Sequence, residues 1–228
     1  MVLCLVSAPL HAAPEICQRA AAIAAERSGV PVQVLRAISL TETGRRRDGR
    51  LAPWPWTVNM EGKGVWFDTR AEAEAYVEKN HARGARSYDV GCFQVNYRWH
   101  GQHFTSNLAM FDPVDNAMYA ARFLSDLYAE LGDWSRAAGA YHSRTPVFAT
   151  KYRRRFDQIL AGLDPNWIPP EGPVLAEAVE EVEEEPPRRV PLFDPTSPVV
   201  TGPAPLGSLA TALISREPLL RAPPGPLY

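Results

Sequence analysis

The sequence predicts one mainly helical domain of the α+β class, with a small β-hairpin inserted among its helices and a disordered, Pro- and Glu-rich C-terminal tail. Three observations lead to this prediction. Apolar residues recur at helical spacing along most of the chain before Pro165, between proline, glycine and capping residues. Residues 45–68 break this pattern with short aromatic-rich runs. Of 22 prolines, 15 lie at or beyond Pro165, where the composition cannot bury enough apolar surface to fold.

The chain divides into three predicted parts, residues 1–13, 14–165 and 166–228. The first part, within "MVLCLVSAPLHAAPE", is typical of a secretory signal with its front missing, because small residues suited to cleavage near Ala13 follow a short apolar run. An ordinary buried N-terminal segment is the alternative. We expect the chain to be exported.

Charge separates the predicted domain from the tail. Lys and Arg outnumber Asp and Glu by 20 to 17 up to Asp164, and they are outnumbered by 9 to 4 after it. The domain is therefore mildly basic and the tail is acidic, and we expect no nucleic acid partner. No stretch after the signal approaches the roughly 18 apolar residues of a membrane span, so no span is predicted.

Proline and glycine delimit the first two predicted helices. Pro14 opens the first helix and Gly29 closes it. Pro31 opens the second, which runs to Gly44. The segment that follows, with "LAPWPWTVNMEGKGVWFDT", is predicted as a small β-hairpin or an ordered loop.

Capping residues delimit the later helices. The Thr-x-x-Glu pattern that starts at Thr69 has the form of a capping box and predicts a helix to about Arg83. Another helix is predicted over "GCFQVNYRW". Asp112 caps the clearest helix, "DPVDNAMYAARFLSDLYAELG", and two more are predicted in "DWSRAAGAYHS" and "PVFATKYRRRFDQILAGL".

Glu42 stands where the pattern of the second helix predicts an apolar residue. Leu35, Ile38 and Glu42 occupy positions i, i+3 and i+7, so the carboxyl points the same way as the two aliphatic side chains. Burial and the negative end of the helix dipole both favour the protonated carboxyl, which makes Glu42 a candidate general acid at neutral pH. The alternative is a carboxyl that caps its own helix or pairs with an arginine at positions 45–47.

Two cysteines remain after signal cleavage, Cys17 and Cys92. An isolated pair in an oxidising compartment tends to be joined, and two buried free thiols are the alternative. No Cys-x-x-Cys or Cys/His spacing supports a metal site, so no metal and no other cofactor is predicted.

Four motifs follow one another along the chain: "VLRAISLTETG", "DVGCFQVN", "MFDPVDNAMYAARFLSDLY" and "AAGAYHSRTP", the last before "YRRRF". In this order they resemble the soluble lytic transglycosylase (SLT) family, which has a lysozyme-like fold. In that family a helix ends in Glu-Ser-Gly or a variant, and a Gly-Leu-Met-Gln-like segment, a Phe-Asp-Pro helix and Ala-Tyr-Asn follow. The resemblance covers about Cys17 to Ile159. Each motif alone is weak evidence, and four in order are strong.

The resemblance implies that Glu42 is the single catalytic acid of a peptidoglycan lytic transglycosylase. Family members cleave the β-1,4 bond between N-acetylmuramic acid and N-acetylglucosamine. One carboxyl acts twice: it protonates the leaving oxygen, and it then takes the proton of the muramic acid C6 hydroxyl, which closes a 1,6-anhydro ring. This chemistry needs no metal, and its substrate implies a periplasmic location.

A single carboxyl is unusual, because most glycosidases need two at a defined separation. In the lytic reaction the substrate supplies its own nucleophile, so a lone glutamate suffices. Asp48, Asp68 and Asp89 are the candidates for a second carboxylate. Each is interpreted here as a solvated loop residue or a capping residue.

The resemblance also implies residues of a glycan groove. Gln94 and Asn96 lie in the Gly-Leu-Met-Gln-Ile-Asn-like segment, and amides suit the donors and acceptors of N-acetyl groups and hydroxyls. Phe93 replaces the common Met and is expected to reshape that wall of the groove. Tyr141 is expected close to the catalytic acid. His142 replaces the expected Asn, and we place it at the surface or behind the site without a catalytic role.

Aromatic side chains are frequent between the Glu42 and Gln94 motifs. Their faces suit sugar rings, but the same residues equally suit packing of the hairpin onto the domain. These residues are Trp54, Trp56 and Trp66.

Two other functions remain open at this point: a hydrolysing muramidase, which needs a positioned water and usually a second carboxylate, and an inactive peptidoglycan-binding module. The tail suggests a partner, since family members with extra segments often work beside envelope-spanning machines such as flagella or secretion systems. Leu206, Leu209 and Leu213 fit one short helix that docks in a partner's groove, and a passive linker is the alternative.

Overall fold

The computed structural model describes residues 12–47 and 49–172. These residues fall in one compact unit, Met1–Ala178, and a second unit, Val179–Tyr228, lies outside the described residues. Most of the predicted signal segment also lies outside them, as does the tail after residue 172 with its predicted helix at 206–213.

The described residues form a mainly helical α+β fold, which confirms the predicted fold class. The helices are α1 (Ala12–Ser28), α2 (Val32–Thr43), α3 (Arg70–Ala82), α4 (Tyr97–His100), α5 (Pro113–Leu131), α6 (Trp134–His142) and α7 (Pro146–Ala161), with short 3-10 turns at Gly101–His103 and Ala109–Phe111. The strands are β1 (Arg45–Arg47), β2 (Arg50–Ala52), β3 (Thr57–Met60), β4 (Lys63–Trp66), β5 (Tyr88–Val90) and β6 (Val95–Asn96).

Local capping sets the ends of the long helices, as the sequence predicts. Thr69 and Glu72 form a capping box at the start of α3: the Thr69 hydroxyl accepts from the Glu72 N–H at 3.2 Å, and the Glu72 carboxylate accepts from the Thr69 N–H at 3.1 Å. The Asp112 carboxylate accepts from two N–H groups of the first turn of α5. Gly132, at φ 68°, ends that helix in the left-handed conformation.

The β structure is larger than the single hairpin that the sequence predicts. Strands β1 and β2 form one antiparallel pair, and a four-stranded antiparallel sheet has the order β4-β3-β5-β6. The sheet therefore combines the predicted hairpin with two strands that come after α3. The sequence pattern missed these strands because each is only two or three residues long.

The helix predicted over "GCFQVNYRW" is wrong for most of its length. Residues 91–94 form a tight turn, which β6 and the four-residue α4 follow. Gly91 has φ 80° and Gln94 has φ 46°, and an α-helix cannot contain such left-handed residues. We call residues 91–94 the site turn.

Close helix packing forms the core. Helix α1 packs against α5 and α2, α2 also packs against α7, and α6 lies between α5 and α7. Helices α1 and α5 pack against each other, and each carries three alanines that have no exposed surface. These are Ala20, Ala21 and Ala24 of α1 and Ala117, Ala120 and Ala121 of α5.

Two buried groups fix the site turn to the helices. A disulfide joins Cys17 of α1 to Cys92. Asn116 of α5 is fully buried, and its Oδ1 accepts from the Phe93 N–H at 3.0 Å while its Nδ2 donates to the carbonyls of Val90 and Met110. The amide oxygen and both amide N–H groups of Asn116 are therefore hydrogen-bonded, and two of these three bonds go to residues 90 and 93 at the site turn.

Glycine is required at the start of the site turn. A Cβ at Gly91 would lie 2.8 Å from the side-chain carbon of Asn116, closer than real Cβ contacts come. The positive φ of Gly91 adds a second reason, since side chains disfavour that conformation.

The chain continues to contact the helices after Pro165. The Trp167 ring lies under the Arg36 guanidinium, with 3.9 Å from Cζ to the ring centroid, and Arg19 donates to the Glu171 carbonyl at 3.1 Å. The domain boundary at Pro165 stays a prediction, and residues 166–172 lie against α1 and α2. Among residues 12–47 and 49–172, no helix combines the length and apolar character that crossing a membrane requires.

Removing the disulfide tests how strongly it anchors the site turn. In the double variant Cys17→Ala, Cys92→Ala we expect the free energy of unfolding to fall by about 3–5 kcal/mol, because the bridge spans a sequence separation of 75 and restricts the unfolded chain. Urea unfolding under oxidising conditions measures the difference. Reduced wild-type protein is the control and should resemble the variant. Equal stability of the variant and the oxidised wild type contradicts the prediction.

Candidate active site

A cleft of about 510 Å³ lies where the helices meet the four-stranded sheet. Its walls come from the end of α2, from strands β3 to β6, and from α4, α5 and α6. Polar side chains and aromatic rings line it together. This lining suits a ligand that has both hydroxyl or amide groups and apolar ring faces.

Glu42 lines this cleft from the last turn of α2. Leu35 and Ile38, which precede it on the same stripe, are fully buried. Glu42 is partly exposed where it borders the cleft, and its Oε1 accepts a hydrogen bond of 2.7 Å from the Tyr152 hydroxyl of α7. The helix periodicity therefore placed this carboxyl on the correct side of α2.

The surroundings of Glu42 favour the protonated carboxyl. The pKa of Glu42 is raised from 4.5 to about 8, chiefly by burial and to a smaller extent by the negative charge of Asp89. The hydrogen bond from Tyr152 and the charge of Arg155 act in the opposite direction, because both stabilise the carboxylate. Burial is the largest of these effects, so Glu42 carries its proton at neutral pH.

Two tyrosines and a histidine surround the glutamate. The Tyr141 hydroxyl donates to the Phe93 carbonyl at 2.7 Å, which ties α6 to the site turn. Burial and the charge of Glu42 hold the pKa of both Tyr141 and Tyr152 well above the usual value, so both remain hydrogen-bond donors. The His142 ring stacks on Tyr152 with 4.7 Å between centroids and borders the cleft. His142 therefore packs against Tyr152, whose hydroxyl donates to the Glu42 carboxyl.

The structure places three of the four predicted groove residues at the cleft: Gln94, Asn96 and Tyr141. Gln94 uses its Nε2 internally, donating at 3.0 Å to the carbonyls of Thr57 and Gly91. The backbone of Gln94 is left-handed, and the contacts of the site turn to which it belongs hold it in that conformation.

Phe93 is the predicted groove residue that the structure places elsewhere. Its ring has no exposed surface and belongs to the hydrophobic core, so it cannot reshape the groove wall. Cys92 and Phe93 are both buried, whereas Gln94, the next residue, lines the cleft. The contribution of Phe93 to the site is its carbonyl, which accepts from Tyr141.

Asp89 differs from its interpretation as a loop or capping residue. It lies in β5, it is partly buried, and it lines the same cleft as Glu42. Its Oδ1 accepts from Asn96 Nδ2 at 2.6 Å, and its Oδ2 accepts from Asn59 Nδ2 at 2.8 Å. Burial raises the pKa of Asp89 above its usual value, and the two amide hydrogen bonds only partly offset that rise. Asp68 is exposed, and Asp48 lies outside the described residues.

Four of the six tryptophans divide into two groups by their exposure. Trp54 and Trp56 are 2% and 6% exposed and pack the hairpin onto the domain. Trp66 is 44% exposed and Trp99 is 65% exposed, and both line the cleft. Of the three tryptophans considered from the sequence, only Trp66 is placed to meet a sugar ring.

Sequence reasoning missed Asn59, Trp99 and Tyr152 as site residues. Tyr152 opens the "YRRRF" run that follows the fourth motif, so its position was marked but its role was not. Asn59 and Trp99 had no signal of their own, because only strand pairing and the fold of α4 bring them to the cleft. Within residues 12–47 and 49–172, no group of three or more His, Cys, Asp or Glu side chains is arranged to hold a metal ion.

The helices and the small sheet thus form a cleft whose wall carries a protonated carboxyl. The family model described as the transglycosylase SLT domain matches residues 71–156, and this match confirms the resemblance to the SLT family. The matched range contains Asp89, Gln94, Tyr141 and Tyr152, and it begins after Glu42. At the level of the family, it supports a lytic transglycosylase-type enzyme that modifies peptidoglycan. The chain has no match among the curated proteins and none among the solved structures.

The raised pKa of Glu42 predicts a pH-dependent stability. Because its folded-state pKa lies above its unfolded value, the wild type loses stability as the pH rises from about 4.5 to about 8. Glu42→Gln removes this loss, so we expect the variant to be more stable by up to about 3 kcal/mol near pH 7 and hardly different near pH 4. Thermal or urea unfolding of both proteins across this range measures the effect.

The exposed glutamate Glu78 of α3 supplies the control. Glu78→Gln replaces a carboxyl with an amide in solvent, so its stability should follow that of the wild type at every pH. A constant difference between Glu42→Gln and wild type from pH 4.5 to pH 8 would show that the Glu42 pKa is not raised.

Proposed function

We propose that the chain is a peptidoglycan lytic transglycosylase, which cleaves the β-1,4 bond between N-acetylmuramic acid and N-acetylglucosamine and leaves a 1,6-anhydro end. The observation that carries this proposal is the protonated carboxyl of Glu42 at the wall of a cleft lined by amides and exposed indoles. The SLT match supports the same substrate at the family level.

Glu42 is the proton donor of the first step. Its proton passes to the leaving glycosidic oxygen, and the electron pair of the bond from C1 to that oxygen leaves with the oxygen. A group with a pKa of about 8 is protonated at neutral pH and still acidic enough to give up its proton in the transition state. The result is a Glu42 carboxylate and a positively charged muramic acid ring.

The same carboxylate serves as the base of the second step. It takes the proton of the C6 hydroxyl, whose oxygen forms a bond to C1 and closes the anhydro ring. Between the two steps the Tyr152 hydroxyl donates to the charged carboxylate at 2.7 Å, and this bond stabilises the ionised form. The high pKa of Tyr152 keeps its own proton in place throughout.

The second candidate function is a muramidase that uses water in place of the C6 hydroxyl. The observation that favours it is Asp89, a second carboxyl in the cleft, since hydrolysing glycosidases generally use two. The two reactions differ in one product: an anhydro end for the lytic reaction and an ordinary reducing end for hydrolysis.

The proposal includes the setting of the enzyme. Peptidoglycan lies outside the cytoplasmic membrane, and the disulfide between Cys17 and Cys92 suits an oxidising compartment, so we place the protein in the periplasm. Recruitment to an envelope-spanning machine through the tail is part of the same proposal, and the tail beyond residue 172 lies outside the described residues.

Glu42→Gln tests the catalytic role. The amide keeps the size of the side chain and its contact with Tyr152 but has no proton to transfer in either step. Loss of general acid–base catalysis typically costs about 10²–10⁴-fold, and we expect the upper end or more because one carboxyl performs both transfers. The assay is turnover of purified peptidoglycan, with mass spectrometry of the ends released.

Glu78→Gln is the matched control and should retain wild-type turnover. Anhydro ends from the wild type support the lytic reaction, and ordinary reducing ends support the muramidase. Turnover near the wild-type rate by folded Glu42→Gln protein would place the acid elsewhere and defeat both functions as assigned.

The exposed indoles of the cleft predict an effect on substrate binding. We expect Trp66→Ala and Trp99→Ala each to raise KM by up to about tenfold, equivalent to about 1.4 kcal/mol, because each removes an aromatic face from the cleft. Phe148→Ala is the control, since Phe148 is 57% exposed on α7 outside this cleft. Steady-state kinetics on glycan strands give KM and kcat separately. An unchanged KM in both tryptophan variants rejects the platform role.

A further inference from the structure

Asp89 lies at the centre of a row of residues that crosses the four-stranded sheet. In the register of the strands it pairs with Asn59 of β3 on one side and with Asn96 of β6 on the other. Asn59 pairs in turn with Gly64 of β4. Directly paired residues of antiparallel strands have their side chains on one face, and all four of these residues line the cleft. The sheet therefore presents one carboxyl between two amides to the cleft.

The amides on both sides act as donors to this carboxyl. Asn59 Nδ2 donates to Asp89 Oδ2 at 2.8 Å, and Asn96 Nδ2 donates to Asp89 Oδ1 at 2.6 Å. Each oxygen of Asp89 therefore accepts a hydrogen bond. A carboxylate has only acceptors, whereas a protonated carboxyl must place an O–H among its neighbours. The arrangement therefore fits an ionised Asp89 with a fixed orientation.

The orientation of the Asn96 amide is fixed by a further hydrogen bond, whereas that of the Asn59 amide leaves one buried acceptor unpaired among the described residues. Asn96 Oδ1 accepts from the Trp99 N–H at 3.3 Å as the cap of α4, which leaves Nδ2 to face Asp89. Asn59 Oδ1 is buried without a hydrogen-bond partner among the described residues, because its Nδ2 faces Asp89. An unpaired acceptor is unfavourable in the interior. The sheet nevertheless contains this unpaired oxygen, and the same orientation of Asn59 directs its N–H, together with that of Asn96, at the Asp89 carboxylate.

The two carboxyls of the cleft thus differ in character. Glu42 accepts a hydrogen bond from Tyr152 and holds its proton at neutral pH, whereas both oxygens of Asp89 accept hydrogen bonds that favour its ionised form. Other titratable or charged groups that act on this pair are Tyr141 of α6 and Tyr152 and Arg155 of α7. The histidines that line the cleft are His100 and His142. Glycoside cleavage requires both an acid and a means of stabilising positive charge on the sugar ring.

We infer that Asp89 is a second catalytic carboxylate, which stabilises the positive charge that develops at the anomeric carbon while Glu42 protonates the leaving oxygen. This inference rests on the proposed glycan cleavage. Asp89 forms and breaks no bond: the electron pair of the C1–oxygen bond leaves with the oxygen, and the C6 hydroxyl or water then supplies the new bond to C1. The proton of that hydroxyl or water passes to the Glu42 carboxylate. The role of Asp89 is the same for both acceptors.

Asp89→Asn is the direct test, made in the full chain with its disulfide formed. The amide keeps the shape but has no charge, and loss of a positioned electrostatic group typically costs about 10²–10³-fold in kcat. We expect kcat to fall by this amount with KM little changed. A bell-shaped pH profile is expected for the wild type, with Asp89 ionised above its acid limb and Glu42 protonated below its alkaline limb. In Asp89→Asn the alkaline limb should move to lower pH, because the charge of Asp89 raises the pKa of Glu42.

Two further variants make the result decisive. Asp68→Asn removes an exposed carboxylate outside the cleft and should leave kcat and the pH profile unchanged. Asn59→Ala keeps Asp89 but removes one of its donors, so the pKa of Asp89 should rise and the acid limb should move to higher pH. This variant carries the test if Asp89→Asn does not fold, which melting curves will show.

The outcomes separate this inference from the proposed function. Wild-type kcat and an unshifted pH profile in folded Asp89→Asn protein, or an unshifted acid limb in Asn59→Ala, overturn the role of Asp89 and leave Glu42 in place. No glycan cleavage by the wild type rejects the proposed function, and the inference falls with it. A large loss of kcat with a shifted alkaline limb supports both.

Discussion

The geometry of the cleft depends on the anchoring of the site turn, residues 91–94, from four helices at once. A covalent bond ties it to α1, the side chain of Asn116 holds it from α5, and the Tyr141 hydroxyl holds it from α6. From α2, the Thr43 hydroxyl lies 3.4 Å from the Cys92 carbonyl. Thr43 is next to Glu42 in sequence, so direct contact positions the site turn and the end of α2 relative to one another.

This anchoring explains how two carboxyls of opposite character coexist in one cleft. The turn connects β5 to β6, so whatever fixes it also fixes the strand pairing around Asp89. Helices α1 and α7 pack against α2, and burial raises the pKa of Glu42 in its last turn. A protein interior favours the neutral form of a carboxyl unless donors are supplied. Here the helices leave Glu42 with one donor, and the sheet gives Asp89 two.

Sequence reasoning succeeded where local rules determine the structure. Helix ends follow from capping at Thr69 and Asp112, and the direction of Glu42 follows from a 3.6-residue period within one helix. It failed where the structure depends on distant pairings. Asn59 and Asp89 are 30 positions apart, and Tyr152 and Glu42 are 110 apart, so no local pattern contains either contact. The left-handed backbone of Gln94 likewise exists only because the surrounding contacts impose it.

The distribution of tryptophans gives the molecule an internal optical reporter. Two indoles stand in solvent at the cleft, Trp66 and Trp99, whereas Trp54 and Trp56 are shielded in the hairpin and its packing against the domain. Indole emission moves to shorter wavelength when water around the ring is displaced. A bound glycan chain would change the environment of the first pair and leave the other four tryptophans, which do not line the cleft, as a constant background. Occupancy of the cleft can thus be followed in the unlabelled protein, including variants that no longer turn over their substrate.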